Sequence, residues 1–209
     1  MARLKPPVKI KICGMTSHGD AMMAAEFGAD AVGFIFYKKS PRYVSEKTVK
    51  NIILPPFVSR VGVFVNEDAD RINRIADSCK LDWIQLHGDE SPAFCQKIKR
   101  KVIKAVRLRG AKSLELLSKH KVEGFLLDAY EENIPGGTGK TCDWSLVRRA
   151  KKFGPIILAG GLNPSNVENA ILRVQPFGVD VCSGVERVPG KKDRSKVRDF
   201  IQAVHNTVL

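Results

Sequence analysis

A thiol at Cys13, a guanidinium at Arg42, an amide and an imidazole at Gln85 and His87, and carboxylates at Asp128 and Asp180 stand at the ends of short apolar runs. Two further pairs, Gly160-Gly161 and Ser183-Gly184, stand in the same kind of place. Such a set could move protons, because a thiolate can take one, a carboxylic acid can give one, and glycine lets an oxyanion approach backbone N–H groups. Singly, each residue has an ordinary explanation. A free thiol with a pKa of about 8.5 is mostly protonated at neutral pH, so Cys13 alone reads as a small buried hydrophobe. Asp128 reads equally as a turn or helix-start aspartate, Arg42 as a solvated loop arginine, and His87 as a structural histidine. It is their shared placement that asks for a common cause.

The elements that position them supply one. Short β-branched runs over 9–13, 31–36, 60–65, 83–86, 102–106, 124–128, 156–159 and 178–182 alternate with stretches of helical period. Ser17-x-x-Asp20 has the form of a capping box, Ser91-Pro92 and Asn163-Pro164 each place a cap before a proline at the first helical position, and Gly28 marks a stop. Ile72, Ile75, Ala76 and Cys79 share one helix face, as do Val167, Ala170, Ile171 and Val174, and Val197, Phe200, Ile201 and Val204. One-sided helices over parallel strands fit either an open doubly wound sheet or a closed barrel. Eight units in 209 residues favour a single-domain (β/α)8 TIM barrel over 1–209, with 1–7 a short N-terminal extension. In such a barrel the active site lies where the strands end, so the residues above would ring one mouth. Strand alternation puts Lys9, Lys11 and Cys13 on one face, so Lys11 points into the barrel beneath Cys13. A buried lysine needs a carboxylate; Asp180 or Asp128 could supply it, and the ammonium would favour a Cys13 thiolate.

Composition narrows the function classes. At 209 residues and 44% apolar content the chain can bury a substantial core, and no apolar run approaches the roughly 20 residues a membrane span needs. The start carries Arg3 and Lys5 without an apolar segment, which points to the cytoplasm and to no membrane partner. Five cysteines, Cys13, Cys79, Cys95, Cys142 and Cys182, are odd in number and lack a C-x-x-C pair, so they read as reduced thiols. The net charge of +13 is scattered apart from 99–101 and 148–152. That suits solvated helix faces and a field attracting anionic metabolites better than a nucleic-acid partner. Gly136 to Thr141 looks like part of a phosphate-binding P-loop, but the first glycine of that pattern falls on Ile134, and the segment reads instead as a loop closing over a substrate.

Seven segments occur in order from about Val8 to the last helix: Lys11-Ile-Cys-Gly14, Ser40-Pro-Arg-Tyr-Val44, Gln85-Leu-His-Gly88, Pro135-Gly-Gly-Thr-Gly-Lys-Thr141, Leu158-Ala-Gly-Gly-Leu-Asn-Pro164, Asp180-Val-Cys-Ser-Gly-Val-Glu186 and Pro189-Gly-Lys-Lys-Asp193. Together they resemble the phosphoribosylanthranilate isomerase family. The resemblance implies a TIM-barrel isomerase of tryptophan biosynthesis, with no cofactor or metal. Its substrate is a small phosphorylated aminosugar, N-(5'-phosphoribosyl)anthranilate, which an Amadori rearrangement turns into 1-(2-carboxyphenylamino)-1-deoxyribulose 5-phosphate. By position, Asp128 is then the general acid, Cys13 the general base, and Arg42 the partner of the anthranilate carboxylate. Backbone N–H groups of Gly160, Gly161, Ser183 and Gly184 would hold the phosphate. Asp180 would touch sugar hydroxyls, and Gln85 and His87 would line the floor or orient a neighbour. The related aminoaldose isomerase of histidine biosynthesis works with two aspartates, and Cys13 and Arg42 speak against it. A metal-dependent epimerase needs converging ligands, yet of His18, His87, His120 and His205 only His87 lies at a strand end. Monomer and homodimer both remain open.

Overall fold

The computed structural model describes residues 7–108, 110–128 and 144–207. Strands β1 (Lys9–Ile12), β2 (Ala31–Ile35), β3 (Ser59–Phe64), β4 (Trp83–Leu86), β5 (Lys101–Arg107), β6 (Gly124–Asp128), β7 (Ile156–Ala159) and β8 (Gly178–Val181) pair in parallel, each with the next. β8 returns to β1, and the sheet closes into a barrel. Helices follow the strands: α1 (His18–Glu26), α2 (Glu46–Lys50), α3 (Ala69–Ser78), α4 (Pro92–Cys95), α5 (Ala111–Lys119), α6 (Trp144–Ala150), α7 (Val167–Val174) and α8 (Arg194–Asn206). Each strand lies within a residue of its predicted limits. A small antiparallel hairpin, β9 (Glu186–Val188) and β10 (Lys191–Lys192), precedes α8.

The two faces of the barrel strands are made differently. Ile10, Ile12, Val32, Phe34, Ile84, Leu86, Phe125, Leu127, Leu158, Val179 and Val181 face outward into one large core shared with the helices. The stripe residues of α3, α7 and α8 are buried in the same core. The inner face has a small apolar cluster of Ile103, Ala105, Leu126 and Ala159, with Trp83 and Ile157 against it, and Val61 and Val63 are buried there as well. Much of the remaining interior is polar, with Lys11, Gln85 and Asp180 all buried.

The local signals hold in part. Ser17 Oγ accepts from the Asp20 N–H, but the Asp20 carboxylate takes the Lys192 N–H at 3.1 Å, so the box is half used and α1 is tied to the hairpin. Ser91 caps α4 with Pro92 in the first turn, and Gly28 follows α1 at φ +106°. Asn163-Pro164 does not start α7: the Asn163 carboxamide oxygen accepts from Ser165 N–H and Oγ–H, and the helix begins after Asn166. An Asx-type turn thus competes for the side chain that would have capped the helix. The segment 135–141, its neighbour Ile134, and Cys142 lie outside the described residues, as does most of the expected N-terminal extension. Among the described residues no helix is long and apolar enough to cross a membrane.

A buried ion pair absent from the sequence expectations braces the ends of three strands. Lys104 Nζ lies 3.0 Å from Glu90 Oε2 and also donates to the carbonyls of Leu86, Gly88 and Ala105 at 3.2, 2.7 and 3.1 Å. Glu90 in turn accepts from the N–H groups of Asn66 and Gly88. Removing one partner of such a pair costs about 3–5 kcal/mol because the other charge is left buried and unpaired. Glu90→Gln is therefore expected to lower unfolding stability by roughly 3 kcal/mol in a denaturant titration, with Glu90→Leu/Lys104→Met recovering a large share. A Glu90→Gln protein as stable as the parent would show that the pair does not brace the barrel.

Candidate active site

The rim is built outward from the seam that closes the barrel. β1 and β8 pair Lys11 with Asp180, and the two side chains meet inside, Nζ to Oδ1 at 2.6 Å, with exposures of 5% and 9%. Of the two carboxylates considered for Lys11, Asp180 is its partner. One step further along the register, Cys13 N–H donates to the Val181 carbonyl at 2.8 Å, and Cys13 faces Cys182. Gly33 makes the space: a Cβ there would lie 2.7 Å from Cys13 Sγ and 3.2 Å from Lys11 Nζ. Gly14, at φ +76°, turns the chain away immediately after the thiol.

This packing sets the proton affinities. Cys13 is pushed down to about 7, chiefly because the neighbouring Cys182 thiol turns its proton toward it; burial opposes this and the Lys11 ammonium adds to it. Cys182 moves the opposite way, raised by sharing with Cys13 and by burial. Burial works against the Lys11 charge, but Asp180 and Cys13 outweigh it and hold the ammonium above the ordinary lysine range. A fixed positive charge thus sits under a thiol poised near neutrality.

Asp128 ends β6 and shares the inward face of Leu126, while Phe125 and Leu127 face the helices. It stands at the same end of the barrel as Cys13, half-buried, and helps line a cavity of about 680 Å³ with His87, Asn66, Arg107 and His120. Gln85 donates from Nε2 to His87 Nδ1 at 2.8 Å, which leaves the His87 proton on Nε2. Burial lowers the imidazole's proton affinity, and both Asp180 with Lys11 and Asp128 with Lys104 act on it. His87 is thus a neutral ring between the two sides of the mouth. Gln85 itself is buried, and its Oε1 has no hydrogen-bond partner among the described residues.

Arg42 has an internal partner that the sequence did not indicate. Its Nε and Nη2 grip Glu186, at 2.8 Å to Oε1 and 2.6 Å to Oε2, so one edge of the guanidinium is used inside the protein and Nη1 stands outside that pairing. The Glu186 bond raises the Arg42 proton affinity against burial. For Glu186, burial is outweighed by Arg42 and Lys192, and its carboxyl is held below the usual range. Lys192, with a fully buried side chain, reaches Glu186 Oε1 at 3.0 Å and the Cys182 carbonyl at 3.1 Å. Glu186 and Lys192 were not among the predicted site residues. Both fall inside the quoted segments, but charges in a short hairpin leave no periodicity to read.

The loops after β7 and β8 touch at glycines. Gly160 and Gly161 have φ of +88° and +59°, and a Cβ on Gly184 would fall 1.9 Å from the Leu162 carbonyl oxygen, so these backbones can meet only through glycine. Asn166 Nδ2 holds the Gly161 carbonyl at 2.9 Å. The N–H groups of Gly160 and Gly161 lie on these loops close to those of Ser183 and Gly184 at the C-terminal end of the barrel.

A closed parallel barrel that brings a thiol, an inward carboxylate and glycine loops to one rim is the architecture of a TIM-barrel enzyme. The family can be named as well: residues 10–203 match the model described as N-(5'phosphoribosyl)anthranilate (PRA) isomerase, and the chain belongs to that family of isomerases. The N-(5'-phosphoribosyl)anthranilate isomerase of Citrifermentans bemidjiense is 54% identical over 203 residues, covering 96% of this chain and 98% of that one. A crystal structure of a phosphoribosylanthranilate isomerase in complex with reduced 1-(o-carboxyphenylamino)-1-deoxyribulose 5-phosphate superposes with a TM-score of 0.84 at 43% identity, covering 95% and 98% of the two chains. The same figures hold for a structure of monomers generated from the dimeric enzyme of Thermotoga maritima.

The electrostatics of the seam yield a direct measurement. Alkylation of Cys13 by iodoacetamide, followed by peptide mass, is expected to rise with pH to a midpoint at about 7. Lys11→Met should move that midpoint upward, since it removes the cation that favours the thiolate and strands Asp180 beside it. A midpoint at or above that of a free thiol, about 8.5, would remove the argument.

Proposed function

We propose that the chain is a single-domain, cytoplasmic enzyme of tryptophan biosynthesis that rearranges N-(5'-phosphoribosyl)anthranilate into 1-(2-carboxyphenylamino)-1-deoxyribulose 5-phosphate. Asp128 is its general acid and Cys13 its general base. The observation that carries this reading is the Cys13 thiol set over the buried Lys11–Asp180 pair, its proton affinity lowered, on the same rim as the inward-facing Asp128. A base works best when its pKa lies near the working pH, because it is then both largely deprotonated and still able to hold a proton.

In this reading Asp128 protonates the furanose ring oxygen, the ring opens to a protonated Schiff base, and that cation acidifies the C2 proton. The Cys13 thiolate removes the proton to give an enolamine, which tautomerises to the ketone. Phosphate rests on the N–H groups of Gly160, Gly161, Ser183 and Gly184, and Arg42 offers its free edge to the anthranilate carboxylate while Glu186 holds the other. Asp180 reaches sugar hydroxyls from its pair with Lys11, and Gln85 orients His87 as a neutral ring. The ligand held by the similar crystal structure is a reduced form of the product named here. Against the two-aspartate isomerase of histidine biosynthesis stands the thiol, since Cys13 occupies the place of one carboxylate.

Cys13→Ser and Asp128→Asn are each expected to reduce kcat by roughly 10²–10⁴-fold, read from the decay of substrate fluorescence. In the parent, kcat/KM should climb with pH through about 7, because the lowered thiol becomes a base only above that value. Arg42→Lys should act mainly on KM, since a lysine cannot serve Glu186 and a ligand carboxylate in one plane. Full activity in the Cys13 or Asp128 variant would remove that residue from the mechanism.

We also propose that the chain works as a homodimer joined through the N-terminal end of the barrel. Phe57 there is fully exposed at 103% of its reference area with φ +70°, and Phe177 is half exposed. Both line a largely apolar cavity of about 360 Å³ that includes Trp83, Ile103, Ile157 and Val179. A protruding aromatic beside an apolar hollow is self-complementary under a two-fold axis, and the similar enzyme from Thermotoga maritima is described as dimeric. Sedimentation at micromolar concentration should show twice the 23.1 kDa chain mass for the parent and a monomer for Phe57→Glu. A monomeric parent would end this part of the reading.

A further inference from the structure

We propose that Cys13 and Cys182 are a redox modification site, joined by a reversible disulfide that takes the catalytic thiol out of service. The pair is built by the barrel seam. The register that sets Lys11 against Asp180 and Ile12 against Val181 brings Cys13 and Cys182 opposite each other, 169 residues apart in the chain. Facing residues on neighbouring strands lie about 5 Å apart, within the 4.4–6.8 Å between Cα atoms that a disulfide accepts. Lys11 and Asp180, two residues earlier on each strand, meet inside the barrel, so the pleat turns both sulfurs to the same inner face. Gly14, next to Cys13, has no side chain at a point where a Cβ would come within 2.9 Å of both Cys182 Sγ and Arg42 Cδ, so the two thiols lie close under the Arg42 side chain with no residue 14 side chain in the way.

The surroundings supply a nucleophile and a partner that can resolve the first oxidation product. Cys13 sits over Lys11, which favours its thiolate, whereas Lys192 Nζ lies 3.9 Å from Cys182 Sγ and can stabilise that sulfur as its proton leaves. Cys182 is partly exposed at the mouth while Cys13 is buried beneath it. Cys79 and Cys95 are also buried, but burial raises both thiols and outweighs the cations near them, Arg60 and Lys50 at Cys79 and Lys104 at Cys95.

The oxidant is a hydroperoxide. The Cys13 thiolate attacks one peroxide oxygen, the O–O bond breaks, and hydroxide departs to become water with the proton Cys13 had earlier released. Cys13 is then a sulfenic acid. Cys182 Sγ attacks Cys13 Sγ, the S–O bond breaks, and the departing hydroxide leaves as water with the Cys182 proton. Two thiols have lost two electrons and two protons, and one peroxide has become two waters. A dithiol reductant reverses the bond by exchange.

Formation of the bond needs only the geometry of the seam; the loss of activity rests on the reading of Cys13 as the base. The parent chain treated with an equivalent of hydrogen peroxide at neutral pH should lose the mass of two hydrogens, and non-reducing peptide maps should join the peptides carrying residues 13 and 182. Activity should fall by about tenfold or more in step with that link and return with dithiothreitol. In Cys182→Ser, compared with its own untreated activity, the same dose should leave Cys13 heavier by one or more oxygens, and dithiothreitol should restore less. Maps of the parent decide the matter even if this variant folds poorly. A different pairing, or a parent whose Cys13 gains oxygen without linking, overturns the proposal. A complete link with activity intact would overturn Cys13 as the base and the switch with it, while leaving the bond established.

Discussion

The ion pair between Lys11 and Asp180 lies where the barrel closes, and much of the rim follows from it. Taking two charges out of water is costly, and a buried pair rarely stabilises a fold as well as apolar residues of the same volume. The interior here nevertheless carries this pair at 2.6 Å, with Gln85 buried in the same interior. What the pair supplies is position and field. It fixes the register of the first strand against the last, and it sets a permanent cation directly beneath the thiol that ends β1.

The same division of labour runs through the rest of the barrel. Outward faces carry the hydrophobic stabilisation, with Ile10, Phe34, Ile84, Phe125 and Val179 wholly buried against helices. Inward faces are given over to polar groups on the C-terminal side and to an open apolar hollow at the other end. Charged networks that serve the mouth are braced from outside it: Glu90 with Lys104 beneath the β3 to β5 loops, and Glu186 with Lys192 behind Arg42. The first ties three successive strand ends together and the second joins residues 144 apart in the chain, so the loops of the rim are held in fixed geometry.

This arrangement explains what could be read from the residues alone. Strand positions were legible because the outward faces are continuous in β-branched and aromatic residues, and the residues that stop those runs, Cys13, His87 and Asp128, come to one rim by the logic of a parallel barrel. The Lys11 partner was legible only to within two carboxylates, because alternation tells which way a side chain points and not which strand lies beside it. The grip of Glu186 on Arg42 was invisible for the same reason: it joins residues 144 apart through a hairpin too short to show a pattern. Asn163-Pro164 misled because an asparagine side chain satisfies a turn as readily as a helix start, and which it does depends on how the loop meets Gly161 and Gly184.

Cys13 and Cys182 show how one contact settles several properties together. Two like thiols placed side by side do not titrate alike; the proton that one gives up is held more firmly by the other, so the first is lowered and the second raised. Lys11 beneath Cys13 adds to the lowering of that thiol. The same asymmetry governs reactivity, since a thiolate is both the better base and the better target for an electrophile. A seam that lowers one thiol by setting a second next to it therefore also supplies the partner with which the lowered thiol can be oxidised, and the two consequences cannot be separated without moving the seam.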